Sequence, residues 1–349
     1  VAAAISAGFG APLAGLIFAH ETVLRHFSMK AITALAVSSM AANFFASEIN
    51  LVTPFLLLPE IPFAISDVLP SLAIIGPIAA IVAVIFMKLI IFLGTLPPKF
   101  KIKNWQSPVI AGLFCGLFGM FFDEVLGLGT NTVMMVINSN QDTSYLLALL
   151  VGKLLLSCIC LGFGFFGGTF SPALFLGAIV GALVFQLPLT SMNIDFLSIL
   201  AVSGMAAVSS SVIGAPITAI ILVLELTGSY EYAIAATFPI VVCSFITSRV
   251  FGTSLFDKQL ISRGIAITKG REQIILNEVL IEEYADKQYT KFSLNTSKET
   301  AIKLLVKNNT TEGYIISKEN RYLGKISLIN IINQTDPNLS NYIENNPLV

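Results

Sequence analysis

The sequence predicts an all-α polytopic membrane protein built on inverted repeats with broken helices, followed by a small α/β module. Composition is the first reason: of 349 residues, 55% are hydrophobic and 12% charged, where soluble domains carry about 25% charged residues. Charge placement is the second. Residues 1–251 hold 18 of the 41 Asp, Glu, Lys and Arg residues, and the last 98 hold 23, as a membrane body with a water-exposed tail requires. A repeat is the third. "GFGAPLAGLIFAHE" (Gly8–Glu21) returns as "VIGAPITAIILVLE" (Val212–Glu225), 204 residues on and without a gap.

Apolar runs near the roughly 17–25 residues that span a bilayer recur at Ala31–Ala46, Leu69–Leu96, Val109–Phe122, Tyr145–Phe166, Phe170–Leu187, Leu197–Ile213 and Tyr232–Phe251. Trp105 beside Lys99, Lys101 and Lys103 reads as an interfacial belt on a cytoplasmic loop, or as an amphipathic linker. Cys115, Cys158, Cys160 and Cys243 lie within apolar runs, lack the Cys/His spacing of a zinc site, and read as packing residues. The chain opens on Val inside an apolar segment, so the expectation is a piece of something longer. In the tail, Thr296 three residues before Glu299 reads as a capping box opening a helix with Ala301, Ile302 and Leu305 on its apolar face. "GYIIS" and "YLGKISLINII" read as two strands about a Lys318–Asn320 turn, running into a short helix.

Within the repeat, Ser6/Ser210, Gly10/Gly214, Ala11/Ala215, Pro12/Pro216, Ile17/Ile221 and Glu21/Glu225 are identical pairs. Five apolar runs lie between the copies, an odd number that turns the second upside down, which is a common transporter plan with discontinuous helices meeting near the midplane. Pro after small residues suits the start of a half-helix at Pro12 and Pro216, since its φ is already helical and it lacks an N–H; a kinked continuous helix is the bland alternative. The expectation is that both half-helices serve one anion pathway. "GGTFSP" (Gly167–Pro172) precedes another apolar run. If a helix starts there inside the membrane, its first N–H groups and positive dipole end form an anion site without a full charge; otherwise it is a Gly-rich loop between spans.

At these residues the sequence resembles the ClC family of chloride channels and chloride/proton antiporters, from residue 1 to about 265. "GGTFSP" resembles its G-x-F-x-P motif, the two Gly-Ala-Pro segments its paired inverted segments, and "GTSLFDKQLISRG" its last membrane helix. The resemblance implies a membrane domain over 1–265 and an anion path from Gly168, Thr169, Phe170, Ser171 and Phe256, with Lys153 where the family often places a basic residue. Lys153 then raises the local anion potential, or it snorkels to an interface. The first-half counterpart of "GGTFSP" and the segment bearing the family's central Ser fall upstream of residue 1. Two departures bear on mechanism. Thr22 stands where proton-coupled members usually carry a Glu, with Glu21 and His20 beside it, and this leans toward channel-like, uncoupled conduction, the alternative being chloride/proton antiport. Phe256 stands where the family usually has a Tyr whose hydroxyl meets the anion.

The tail, 266–349, resembles a single CBS module at about 277–335. Such modules often bind adenine nucleotides through Ser/Thr-x-x-Asp, for which this chain offers Ser327 and Asn330. The resemblance also implies a homodimer in a bilayer, at the plasma membrane or the cytoplasmic membrane of a prokaryote, with the tail cytoplasmic. No metal site, nucleic-acid partner or enzyme is expected: H-E-x-x-H and G-x-S-x-G are absent and the histidines are His20 and His26. The rivals are another inverted-repeat transporter and a CBS-regulated membrane sensor.

Overall fold

The computed structural model describes residues 1–49, 58, 65–187, 194, 196–262, 289–317, 319, 321–333 and 341. The chain divides into two compact units, Val1–Ala266 and Ile267–Val349. In the first, each apolar run of the sequence forms a helix: α3 (Met29–Glu48), α4 (Ile65–Gly94), α6 (Gln106–Gly119), α8 (Thr143–Gly162), α9 (Phe170–Phe185), α10 (Phe196–Ile213) and α12 (Tyr230–Val250). Between and around them lie α1 (Ala2–Phe9), α2 (Pro12–Phe18), α5 (Leu96–Lys99), α7 (Thr130–Asn138), α11 (Pro216–Thr227) and α13 (Leu255–Ser262). Among the described residues, five helices are long and apolar enough to cross a membrane, whereas α6, α9, α11 and the α2 segment are apolar but shorter, as broken helices require.

Helix α10 forms the centre of this unit: every residue from Leu197 to Ile213 is buried. It packs most extensively on α9, and glycine makes that possible. A Cβ on Gly177 would collide with the Gly204 carbonyl, and one on Gly181 with the Leu200 carbonyl. Small residues four apart let two helix backbones approach, the usual route to association in a bilayer where apolar burial gives no drive between helices. By contrast α3 buries only Ser39 and Ala46 and exposes Val37, Met40, Phe44 and Phe45.

In the second unit, β1 (Thr290–Ser293) pairs parallel to β2 (Glu312–Ile316), which pairs antiparallel to β3 (Tyr322–Ser327). Parallel pairing needs a crossover, and α14 (Lys298–Lys307) supplies it; α15 (Leu328–Asn333) follows β3. Phe292, Ala301, Leu305, Ile315, Ile326 and Ile331 form the core. The strand β1 adds to the two strands expected. The helix cap differs by one residue: Ser297 is the N-cap, its side chain accepting from Thr300 N, while Thr296 Oγ1 accepts from Ser293 N at 3.2 Å. Thr296 is drawn back into the β1 turn, so the next hydroxyl takes the cap. Lys318 and Asn320 of the expected turn, and residues 277–288 and 334–335 of the expected CBS-like span, lie outside the described residues.

Candidate functional site

The repeat is visible in the backbone. Gly10 (φ 65°) and Gly214 (φ 78°) both take the left-handed conformation that a Cβ disfavours. Ala11 and Ala215 follow at φ −125°, ψ 79° and φ −133°, ψ 70°, and Pro12 and Pro216 open α2 and α11. In each copy the Ala N–H reaches back to the repeat's Ser carbonyl, Ala11 to Ser6 at 3.2 Å and Ala215 to Ser210 at 3.0 Å. These are two true helix breaks, and the kinked-helix alternative does not hold.

What occupies the new N-termini differs from the sequence expectation. The Glu225 carboxylate accepts from Leu13 N at 2.8 Å and Ala14 N at 2.7 Å. Glu21, the matching residue of the other copy, accepts from Ile217 N at 3.0 Å, Thr218 N at 2.8 Å and Thr218 Oγ1 at 2.7 Å. Each half-helix is thus capped by the Glu near the far end of its repeat partner, which is only feasible if the two run antiparallel. A Glu nine residues beyond Pro lies about 13 Å further along a helix, so one spacing serves both caps. The starts at Pro12 and Pro216 are closed by carboxylates, not held open for an anion. The sequence signal was there, in the paired Glu21 and Glu225, but its meaning needed the antiparallel placement.

The start of α9 is different. Thr169 is its N-cap and makes no side-chain cap bond. Among the described residues, no carbonyl or side chain accepts from the N–H groups of Phe170 or Ser171, and Pro172 has none to offer; the first bond of the helix is Ala173 N to Thr169 O at 3.2 Å. Ser171 Oγ donates instead to the Leu128 carbonyl at 3.2 Å. Thr169 is buried and its Oγ1 has no hydrogen-bond partner. Phe170 and Phe256, 86 residues apart in sequence, pack against the same trio of Phe18, Ile213 and Ala215, and Phe9 meets Phe170 edge-on at 4.9 Å. The predicted "GGTFSP" and last-helix residues therefore converge where the two repeat copies meet.

Lys153 is buried at 2% exposure and does not snorkel. Its ammonium donates to the carbonyls of Val125 at 2.9 Å and Gly127 at 2.7 Å and lies 4.8 Å from the Phe175 ring centre. With Gly167, Gly168 and Pro172 it lines a cavity of about 430 Å³. Its first work is to tie the 125–127 segment to α8, while Ser171 ties Leu128 to α9; its side chain lines the cavity shared with the glycines.

Thr22 lines a second, polar cavity of about 370 Å³ together with Glu21, Arg25, Ser254 and Asp257, and Arg25 forms an ion pair with Asp257. His20 stands apart, buried, with its ring stacked on Phe27 at 5.4 Å and Ser28 N facing its Nδ1 at 3.4 Å. Ser327 ends β3 and Asn330 lies in α15, both in the second unit. Among the described residues, no cluster of three His, Cys, Asp or Glu side chains has metal-binding geometry.

The family described as voltage gated chloride channel matches residues 1–249. A H(+)/Cl(−) exchange transporter ClcA of Vibrio vulnificus (strain YJ016) is 30% identical over 285 residues, 78% of this chain and 60% of its own length. The protein of that name from Vibrio cholerae serotype O1 (strain M66-2) is 28% identical over 284 residues with the same shares. Among solved structures, a CLC-type fluoride/proton antiporter shares the fold at TM-score 0.61 and 23% identity, over 71% of this chain and 60% of its own. A eukaryotic CLC transporter does so at TM-score 0.58 and 16% identity, over 94% and 59%. The chain spans about 60% of the length of the curated relatives it matches. By the motifs, the broken helices and a family match over residues 1–249, the chain belongs to the ClC family of voltage gated chloride channels.

Proposed function

We propose that this chain is part of a ClC-type transporter that carries chloride, or a similar small anion, through the open mouth of α9 in exchange for protons. The observation that carries anion transport is the uncapped α9 start. Its free N–H groups sit on the positive end of a 16-residue helix inside an apolar unit, and backbone of that kind is tolerated at membrane depth only where it is buried or lines a cavity. Dipolar donors hold an anion without a full positive charge and so let it leave again. The relatives named above as H(+)/Cl(−) exchange transporters favour exchange over the uncoupled conduction to which Thr22 alone leans. Glu21 and Asp257 line the cavity at Thr22, so acidic groups stand beside a position that has no carboxylate of its own.

Two expectations accompany the proposal. The exposed apolar face of α3 suits a second copy of the chain within the bilayer, and the tail lies in the cytoplasm with Ser327 and Asn330 as its candidate contacts for an adenine nucleotide. The deciding experiment reconstitutes the full-length protein in liposomes and records chloride flux and proton movement together. Stoichiometric proton counter-movement is the expected result. Chloride flux without protons would restore the conduction reading, and no chloride flux would remove the anion reading and return the other transporter and sensor hypotheses.

A further inference from the structure

We infer that the Thr169 hydroxyl is itself a ligand of the transported anion, supplying at the α9 mouth the O–H donor that Phe256 lacks. The inference rests on the proposed anion site and adds a side chain to its backbone donors.

An N-cap Thr ordinarily holds an extended backbone and turns its hydroxyl back onto the N–H of the second or third helical residue. Thr169 does neither. Its dihedrals, φ −82° and ψ −12°, are already helical, and no cap bond forms. With no cap bond made, the hydroxyl leaves the first N–H groups of the helix without a side-chain partner. The residue is 6% exposed, and its Oγ1 is fully buried with no partner. Native proteins leave few buried polar atoms unsatisfied, and each calls for an explanation. The neighbouring hydroxyl sharpens the point: Ser171 Oγ is committed to the Leu128 carbonyl, so Thr169 carries the one uncommitted hydroxyl of "GGTFSP". Phe170 and Phe256 contribute apolar rings to this end of the helix, leaving N–H groups and one O–H as its polar donors.

A donor that meets an anion in low dielectric forms a charge-assisted bond, shorter and stronger than a neutral one. Such a bond strengthens as the charge on the acceptor becomes more concentrated. The site therefore takes compact, strongly hydrated monovalent anions, chloride ahead of thiocyanate, because the hydroxyl replaces part of the shell that chloride gives up.

The test uses the full-length protein. Thr169→Val keeps the shape and removes the O–H, while Thr169→Ser keeps the donor. By calorimetry Thr169→Val should bind chloride about ten-fold more weakly and Thr169→Ser within about two-fold of the parent, as expected for one hydrogen bond to a charged acceptor. In liposomes Thr169→Val should lower the chloride-to-thiocyanate flux ratio. Adding Phe256→Tyr to Thr169→Val should recover chloride affinity, and by more than the same change gains in the parent, whose hydroxyl is already in place. If the Val variant fails to fold, Thr169→Ala against Thr169→Ser poses the same question. A Val variant that binds chloride like its parent overturns the inference, as does a Ser variant weakened as much as Val. Either result, in a parent that binds and moves chloride, leaves the anion site standing; a parent that does neither removes both.

Discussion

The starts of α2 and α11 and the start of α9 are the same kind of object in two conditions. All three are helix N-termini with unpaired N–H groups and a positive dipole end. Those of α2 and α11 are closed by Glu225 and Glu21, whereas that of α9 has, among the described residues, no carboxylate and an idle hydroxyl. The difference separates scaffold from site. A helix end whose charge is met within the protein fixes two segments to each other, and one whose charge is unmet remains available to a mobile anion. Gly-Ala-Pro, written twice, therefore makes a self-complementary clasp between the two repeat copies, and "GGTFSP", written once here, begins the helix end that we propose as the mouth.

The severest way to break the comparison is to unseat α9. Gly181→Val drives a side chain into the Leu200 carbonyl, a backbone atom of the most buried helix, and should destabilise by at least about 3 kcal/mol, read as loss of a monodisperse folded peak in detergent. Gly8, with nothing within 4 Å of a built Cβ, should accept Ala with no measurable change. Next in size is converting the open mouth into a closed one. Thr169→Asp places a carboxylate where α2 and α11 have theirs, and should weaken chloride binding about a hundred-fold, ~2.7 kcal/mol, with thermal stability kept. Chloride binding like the parent's in that variant would refute the anion mouth.

Opening a closed end is the converse. Glu225→Ala strips two charge-assisted bonds from the start of α2, and Glu21→Ala three from α11; each should cost about 2–3 kcal/mol, read as a lower Tm. Glu→Gln should cost less than half of that, since an amide oxygen still accepts from one N–H. Equal losses for Ala and Gln would show that packing, not capping, is what the glutamates supply.

Much of this was legible in the residues. The seven apolar runs and the helix breaks at Pro12 and Pro216 came from hydropathy and from Gly-Ala-Pro itself, which are local properties. The open start at Thr169 came from Gly-Gly before a helix and from the family motif. The caps were not legible, because Glu21 and Ile217 lie 196 residues apart and only antiparallel packing makes them neighbours. The partners of Lys153 were not legible for a related reason. A Lys within an apolar run has two readings, pore or interface, and neither foresaw that carbonyls of the irregular 125–127 segment would fold over it. β1 was missed because four residues, "TKFS", carry too little alternation to stand out from a charged tail.

The smallest effect sharpens the comparison within the clasp itself, between its two halves. In the first copy Ser6 Oγ donates to the Ser39 carbonyl at 2.6 Å and Ser39 Oγ to the Pro12 carbonyl at 2.7 Å, tying α1 and α2 to α3. A shift of 204 residues carries Ser39 to Cys243 of α12, where the bond is Ser211 Oγ to the Cys243 sulfur at 3.0 Å. Sulfur is a weak acceptor, and both residues are buried. Ser39→Ala leaves the Pro12 carbonyl one donor short at a buried position, and should lower stability by about 1 kcal/mol. Cys243→Ala removes only a weak acceptor and a small volume, and should cost less than the Ser39 change, by thermal unfolding of the two variants side by side. The clasp is thus symmetric in its charged caps and asymmetric in its neutral ties, and a larger loss at Cys243 than at Ser39 would reverse that assignment.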